Sequence, residues 1–587
     1  MNLLFIILFI GAVVGYMLSY NAYIKKDLAF FPVTFVSLAS VVMYISGFIG
    51  NMWAGYWAIV GAGLLLIPFC LVRKKVKISS LLSPVVLFMA IGVIWAYVIT
   101  RGTGISHADD FNHWYRICKS LYYDNSLPYT ADIRYQMYVP GPACWVSFIT
   151  RLLSFNVPNC YFAQSLINLS CCCSLMSVLP KAAGTVRKII VYVGVSFLAV
   201  LLCALDLSTY SLLVDCTLGL MALSAAVYII CYKDSPADRS SLIVLTSLFA
   251  YTALIKTSGI MLIVFVLAFL KMQSGLPLKK LLPYLGVPVL LILSYAIWGR
   301  LHFPDIGASE QAATADRFMS IVSEKSPQLI VQIIVNAIKS ALPLIGGCAQ
   351  SNVFWISLVG IAVMEYRKTK HIGHLTLYTL SVFGIYLLAL IGTYIFSMSN
   401  DEAIYLACFY RYIGTVVVYL SGIAFYMGLE LVASSKDKEY MWTCLAYFGV
   451  TVVVVALILD PRYIMGYSSY YPLEAYSSGA WNGIYACAKE NTSYSEDYYV
   501  VVWDDEIIFD DGIYAHKVQQ VCEAFYRDMN VYILTFNYVD KIGLSDEDTA
   551  ALEGCDYLVV VGTPDSRIDS LTSYTSSGNL VTGENPC

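Results

Sequence analysis

Long apolar runs separated by short polar connections dominate residues 1–459. About 17 to 25 apolar residues are enough to cross the hydrocarbon core of a bilayer, so these runs predict about 14 membrane spans. They lie near residues 2–20, 28–48, 52–72, 79–100, 160–180, 189–206, 210–232, 240–256, 258–271, 281–299, 352–366, 374–397, 411–433 and 440–459. The first run lacks the basic start and the small-residue cleavage site of a signal peptide, so we expect it to be retained.

One long polar insertion, residues 101–158, interrupts the spans after the fourth run. Its apolar segment 143–153 carries Arg151, and a later apolar segment, 328–347, carries several polar residues. Counting either segment as a span would place the later basic connections on the opposite side of the membrane. Helices with a polar face lie in the membrane interface, and we expect both segments to run along the outer surface.

Composition and charge agree with a polytopic membrane protein. The 587 residues are 59% hydrophobic and 13% charged, far from the balance of a soluble domain. No basic run is long enough to indicate nucleic-acid binding. The Lys and Arg residues cluster on alternate connections between the predicted spans. Connections rich in Lys and Arg stay on the cytoplasmic side of a membrane. This pattern predicts that the acidic insertion and the C-terminal region both lie on the extracytoplasmic side.

The composition changes beyond Asp460, where Asp, Glu, Ser and Tyr become frequent. Three strand-like runs, Tyr498–Trp503, Val531–Phe536 and Asp556–Gly562, alternate with helix-like stretches near 513–529 and 546–553. Alternating strands and helices predict a parallel sheet, so residues 460–587 are expected to form a small α/β domain. An acidic stretch after the first strand is interpreted as a solvated loop, with a cation or sugar site as the alternative.

Adjacent carboxylates, Asp109 and Asp110, stand in the polar insertion just before an amphipathic stretch rich in aromatic residues. The stretch HADDFNHWYRICKSLYY predicts an interfacial helix, which a proline break at Pro140 and Pro142 separates from the segment 143–153. Two adjacent carboxylates repel each other, which raises one pKa and leaves the other group able to act as a base. The alternative is that either Asp only caps the helix.

Three further charged residues lie in or beside predicted spans. Lys256 falls where two short spans meet, and a lysine in lipid usually faces a cavity or an anion. It could instead snorkel to the interface. For Asp215 a structural hydrogen bond competes with a functional role, and for Arg411 the competing explanation is a pair with a nearby acidic residue, Asp401 or Glu402.

These residues together resemble the GT-C class of integral-membrane glycosyltransferases, which includes protein O-mannosyltransferases, aminoarabinose transferases and arabinosyltransferases. In that class the first large outer loop carries an acidic pair beside a span, followed by juxtamembrane helices. Tyr210 and Asp215 in LSTYSLLVDCTLGLMAL, Lys256 in YTALIKTSGIMLIV, and Arg411 with Tyr412 in CFYRYIGTVVVYL are similar to the class's recurring residues. This chain differs in having four predicted spans before the acidic loop, where many members have one.

The resemblance implies transfer of a sugar from a polyprenyl-phosphate donor to a glycan, lipid or protein acceptor, with inversion at the anomeric carbon. It implies a multi-pass protein of the plasma membrane, of bacterial origin. Asp109 is expected to be the base and Asp110 its orienting or metal-binding neighbour, with Lys256 and Arg411 as phosphate ligands. Further candidates for the active site are His107, His113, Tyr210, Asp215 and Tyr412. No cofactor is indicated, except for a divalent cation, Mg²⁺ or Mn²⁺, that Asp109 and Asp110 could hold.

Two other functions use similar residues. A transporter or flippase of a lipid-linked saccharide would line its path with buried charges, but such carriers often show internal repeats, and the sequence contains none. A lipid-linked polysaccharide ligase or polymerase would also use an outer loop with cationic residues, although these enzymes usually rely on Arg and His.

Overall fold

The computed structural model describes residues 3–73, 83–101, 109–128, 138–204, 211–303, 315–343 and 348–434. In the C-terminal region it describes 499–503, 531–535, 546–561 and 580–581, together with the single positions 442, 449, 544 and 571.

The described N-terminal part is helical. Its α-helices are α1 (Leu3–Ser19), α2 (Phe31–Phe48), α3 (Met52–Val72), α4 (Pro84–Thr100), α5 (Tyr115–Tyr123), α6 (Gly141–Leu153), α7 (Val157–Cys173), α8 (Thr185–Ala204), α9 (Asp215–Tyr232), α10 (Arg239–Ile255), α11 (Gly259–Ser274), α12 (Gly286–His302), α13 (Ala315–Ser323), α14 (Pro327–Ala341), α15 (Ala349–Thr369), α16 (His374–Phe396), α17 (Asn400–Ile404) and α18 (Phe409–Ser434). Short π-helices cover Tyr20–Ile24 and Asp110–Trp114, and 3₁₀-helices cover Leu28–Phe30, Ser174–Lys181, Leu278–Lys280 and Leu282–Tyr284.

Eight helical stretches among the described residues are long and apolar enough to cross a membrane, or nine if one pair bent by 50° counts as a single span. Three shorter apolar helices, α4, α10 and α11, coincide with further predicted spans. The polytopic helical fold is therefore confirmed. The count of about 14 spans stays a prediction, and its last member, 440–459, lies almost wholly outside the described residues.

Side-chain caps explain where several helices begin. The side chain of Asn51 accepts a hydrogen bond from the Ala54 amide at the start of α3, and Ser83, Asn156 and Asp238 do the same for α4, α7 and α10. Each cap satisfies an amide that the first helical turn would otherwise leave without a partner.

Helices α9 and α18 pack closely against each other in the interior. A Cβ atom on Gly219 of α9 would lie 2.5 Å from the Thr415 carbonyl oxygen of α18, so the two backbones approach as only glycine allows. Asp215 precedes Gly219 by four residues, and Arg411 precedes Thr415 by the same interval. The close contact therefore lies one helical turn from both charged residues.

Helix α6, which covers the segment 143–153, lacks the exposed polar face that the sequence predicted. Nearly all of its residues are buried, and Arg151 is only 5% exposed. The Arg151 guanidinium donates to the carbonyls of Leu121 and Tyr122, near the end of α5, instead of facing water. The prediction was wrong about exposure because hydrophobicity cannot show that a polar side chain will bind carbonyls of a neighbouring helix.

Helix α14, within the segment 328–347, has one buried and one exposed face. Ile333, Ala337 and Ala341 are its buried residues, whereas Val331 and Val335 are exposed. Asn336 reaches the Ile404 carbonyl, so one face of α14 is held against the helices near α17.

The C-terminal region contains four strands, β1 (Tyr499–Trp503), β2 (Val531–Thr535), β3 (Tyr557–Val561) and β4 (Leu580–Val581), in the order β2-β1-β3-β4. All three pairings are parallel, with Val501 opposite both Ile533 and Val559. Helix α19 (Asp546–Gly554) precedes β3. The three predicted strands are thus present with the predicted parallel pairing. The predicted helix near 513–529 and the acidic stretch after β1 lie outside the described residues.

Candidate active site

Asp109 and Asp110 begin the helical segment that follows α4 in the described chain. Asp110 is the first residue of a π-helix that continues into α5. Asp109 stands at the capping position, yet its side chain makes no capping hydrogen bond. The structure therefore does not support the alternative in which Asp109 only caps this helix.

Asp110 is completely buried and tightly held. Its carboxylate accepts a 3.0 Å hydrogen bond from the Tyr161 hydroxyl, and both of its oxygens lie 3.1 Å from the Leu212 amide nitrogen. Burial raises the pKa of Asp110 to about 8, although the hydrogen bonds from Leu212 and Tyr161 oppose the rise. The charge of Asp109 adds to the rise and that of Arg411 opposes it. The raised pKa that the sequence predicted for one member of the pair is therefore found at Asp110, with burial as its main cause.

Arg411 stands three residues into α18 and bridges two carboxylates. Its Nη1 donates a 2.7 Å hydrogen bond to Asp109 Oδ2, and its Nε lies 3.1 Å from Asp215 Oδ2. The alternative pairing with Asp401 or Glu402 is not observed. Glu402 instead forms a capping box with Ser399 at the start of α17.

Lys256 occupies the turn between α10 and α11, where the Gly259 amide donates to its carbonyl oxygen. Its ammonium donates a 3.0 Å hydrogen bond to Asp215 Oδ1. The side chain is only 13% exposed, so Lys256 does not snorkel to water. Two tyrosine rings face the ammonium, with centroids 5.6 Å away for Tyr138 and 5.1 Å away for Tyr412.

The four charged residues form an alternating series, Asp109, Arg411, Asp215 and Lys256. The side chains of Asp215 and Arg411 are 5% and 6% exposed, whereas that of Asp109 is 27% exposed. Asp109 is therefore the most exposed member of the series. Buried charges are tolerated only when they are paired, and here each carboxylate has a cation beside it.

Helix N-termini add positive potential to this charge series. Asp215 is the first residue of α9, Arg411 lies in the first turn of α18, and Gly259, the first residue of α11, follows Lys256 by three residues. Each N-terminus carries a partial positive charge that favours anions. The site thus combines two cations with three helix N-termini.

His113 is buried beside this series and is not part of it. Burial lowers its pKa well below the usual value, and the charges of Lys256 and Arg116 lower it further, so the ring is neutral at physiological pH. Its ring contacts Tyr138 edge-on, with centroids 5.3 Å apart. His107 and Tyr210, the two other candidates from the sequence, lie outside the described residues.

Two tyrosines of the site did not emerge from the sequence. Tyr138 stands two residues before the proline break, and its aromatic character in the motif YVPGP was the only signal that could have drawn notice. Tyr161, which binds Asp110, lies inside a predicted span where one more aromatic residue carries no signal. Tyr412, by contrast, was predicted, and its ring lies over both Lys256 and Arg411.

The residues present do not favour a metal ion between Asp109 and Asp110. Both oxygens of Asp110 already face hydrogen-bond donors, and Oδ2 of Asp109 binds Arg411. Within the described ranges no group of three His, Cys, Asp or Glu side chains is arranged to hold a metal ion. The expectation of a divalent cation at this pair is therefore not supported by its geometry.

Comparisons with known proteins gave matches among solved structures. No protein-family model matches the chain, and neither does any curated protein sequence. The chain is similar to the crystal structure of ArnT from Cupriavidus metallidurans bound to undecaprenyl phosphate, with a TM-score of 0.43 and 12% identity over 85% of this chain and 90% of that one. The apo state of ArnT gives a TM-score of 0.42 and 13% identity over 80% and 94% of the two chains.

A second neighbour is the archaeal oligosaccharyltransferase AglB from Archaeoglobus fulgidus, solved in complex with an inhibitory peptide and a dolichol-phosphate. Its TM-score is 0.29, with 12% identity over 80% of this chain and 71% of that one.

Proposed function

We propose that this protein transfers a sugar from a polyprenyl-phosphate donor to an acceptor hydroxyl at the membrane surface, with Asp109 as the general base and Lys256 and Arg411 as ligands of the donor phosphate. One observation carries the proposal. A partly exposed carboxylate, Asp109, lies 2.7 Å from a buried guanidinium that is held from behind by Asp215. A base and a phosphate ligand are thus neighbours in one site.

The ion pairs indicate how a phosphate would enter. Asp215 contacts both cations and is almost fully buried, so it is the carboxylate that stays in place. Asp109 contacts one cation and is partly exposed. It can therefore leave Arg411 and be solvated by water, so no unpaired carboxylate is left buried. An incoming phosphate oxygen would replace Asp109 on Arg411 in a charge-assisted hydrogen bond, and this exchange releases Asp109 to act as a base.

The chemistry then needs three transfers that balance. Asp109 takes the proton of the acceptor hydroxyl, the acceptor oxygen forms a bond to the anomeric carbon, and the bond from that carbon to the phosphate oxygen breaks. The electron pair leaves on the polyprenyl phosphate, and Lys256 and Arg411 stabilise the added negative charge. Attack opposite the leaving group inverts the anomeric centre.

The placement of the charges supports a surface reaction over transport. Asp215 and Arg411 stand in the first turns of their helices, and Lys256 occupies a turn between two helices. Carriers usually bind their substrates near the bilayer midplane, between repeated halves. We propose that this surface is extracytoplasmic, in the plasma membrane of a bacterium, and that the acceptor is a glycan, lipid or protein of the cell envelope.

Binding of a prenyl phosphate by the purified full-length chain in detergent tests the proposal. The wild-type protein should bind farnesyl phosphate, and Lys256→Ala should bind it at least about tenfold more weakly, because the loss of one charged hydrogen bond is worth about 1.5–3 kcal/mol. Lys370→Ala is the matched control, since Lys370 lies at the end of α15 and belongs to a different connection. Equal binding by the three proteins would contradict the phosphate site.

A further inference from the structure

Tyr138 links the acidic segment to the phosphate ligand. Its ring lies 5.8 Å from that of Trp114, nearly parallel at 16°, and meets the His113 ring edge-on. Trp114 and His113 belong to the π-helix that Asp110 begins. The Tyr138 ring also lies near Lys256, whose ammonium is 5.6 Å from the ring centroid.

We infer that Tyr138 is a positioning residue, whose ring face holds the Lys256 ammonium in place for the donor phosphate. The inference rests on the proposed function, because it assigns a role to the partner of a proposed phosphate ligand. A ring within about 6 Å attracts an ammonium through its quadrupole, and the attraction grows when the pair is removed from water. Lys256 is 13% exposed, which meets that condition.

A ring suits this task better than another carboxylate would. Asp215 already accepts one proton of the ammonium, and a ring face attracts the charge without a conventional hydrogen bond. The remaining protons therefore stay available to phosphate oxygens. A second carboxylate would also repel the incoming phosphate, whereas the ring carries no net charge.

Tyr138 differs from Tyr412, the other ring over Lys256, in where its backbone lies. Tyr412 is fixed by α18, and its carbonyl accepts a hydrogen bond from Tyr386. Tyr138 lies outside the helices, three residues before α6 begins, and is packed on the segment that carries the proposed base. The position of the Tyr138 ring therefore depends on that segment, and the cation–π contact between Tyr138 and Lys256 depends on it as well.

Two substitutions at position 138 separate the ring from the hydroxyl. Tyr138→Phe keeps the ring face and should bind farnesyl phosphate within about twofold of wild type. Tyr138→Leu removes the face and should bind about 5- to 30-fold more weakly, the factor that corresponds to about 1–2 kcal/mol of cation–π attraction. Should the leucine variant fail to fold, trifluorinated phenylalanine at 138 weakens the face potential while keeping the packing, and the same direction of change is expected.

A double-mutant cycle shows whether the ring acts through Lys256. In the Lys256→Ala background, Tyr138→Leu should cause no further loss, because the ammonium that it holds is gone. Tyr366→Leu is the control, since Tyr366 lies 6.0 Å from Lys370 in a cation–π pair on another connection and is 56% exposed.

The outcomes separate this inference from the proposed function. Equal binding by wild type and Lys256→Ala would overturn the phosphate site and the role of Tyr138 with it. Weakened binding by Lys256→Ala with normal binding by Tyr138→Leu would overturn only the role of Tyr138. The same role would be lost if Tyr138→Phe bound as weakly as Tyr138→Leu, or if the loss in Tyr138→Leu were undiminished without Lys256.

Discussion

Arg411 donates a 2.7 Å hydrogen bond to Asp109, a residue 302 positions earlier in the chain. This contact joins the first turn of α18 to the start of the helical segment that follows α4. It brings the proposed base and a proposed phosphate ligand together, so the two functions share one guanidinium. Under the proposed function, Arg411 binds either Asp109 or the donor phosphate, and Asp109 can act as a base only when the phosphate has replaced it.

Arg411→Ala should weaken farnesyl phosphate binding by at least about tenfold and lower the free energy of unfolding by about 3 kcal/mol or more, because it leaves Asp215 buried with one cation instead of two. Lys181→Ala is the matched control. It breaks the ion pair between Lys181 and Glu430, whose side chains are 32% and 30% exposed, so the loss of stability should stay near 1 kcal/mol or less. Binding titrations and thermal unfolding measure both quantities. An Arg411→Ala protein that binds like Lys181→Ala would remove Arg411 from the phosphate site.

Asp110 gives the protein a dependence of stability on pH. Burial raises the pKa of this carboxyl from 3.8 to about 8, so the folded chain keeps a proton that the unfolded chain loses near pH 4. The stabilisation is fully present below about pH 4, and it is lost as the pH rises toward 8.

Asp110→Asn carries no such proton and should be less sensitive to pH. Its amide oxygen still accepts from the Leu212 amide. Between pH 5 and pH 8.5 the Tm of wild type should fall more than that of Asp110→Asn. A fall of equal size in wild type and Asp110→Asn would show that Asp110 does not hold this proton.

Gly219→Ala tests whether helix packing positions the charges. The added methyl would meet the Thr415 carbonyl oxygen at 2.5 Å, so α9 and α18 must separate one turn from the Asp215–Arg411 pair. We expect both a lower Tm and weaker farnesyl phosphate binding. Gly392→Ala on α16 is the control, because a Cβ there meets no atom within 4 Å, and alanine favours the helix by about 1 kcal/mol. Normal binding by a destabilised Gly219→Ala would separate the packing of these helices from the site.

Hydrophobic length predicted the helices of the membrane part well, because spanning a bilayer demands a long apolar run and little else. Such runs do not show which helices are interior. Helix α6 illustrates the limit, since 12 of its 13 residues are buried and its Arg151 donates to carbonyls near the end of α5. Nothing local in the sequence distinguishes that role from an exposed polar face.

The charged residues of the site were predictable one by one, because a charge in or beside a membrane span is costly and rarely accidental. Their pairing was not predictable. Arg411 has Asp401 and Glu402 close to it in sequence, yet it binds Asp109 and Asp215, which come from other helices. Tyr138 and Tyr161 were missed for a related reason, since aromatic residues are too common in this chain to mark a site.

Asp109→Asn removes the proposed base and replaces the carboxylate that competes with the donor phosphate for Arg411 by a neutral amide. Sugar transfer from a polyprenyl-phosphate donor should fall by about 10² to 10⁴, the usual contribution of a general base. The same protein should bind farnesyl phosphate at least as tightly as wild type, since a neutral amide holds Arg411 less strongly than a carboxylate does. Transfer at the wild-type rate, or a loss of transfer accompanied by a loss of prenyl phosphate binding, would show that Asp109 is not the base of this reaction.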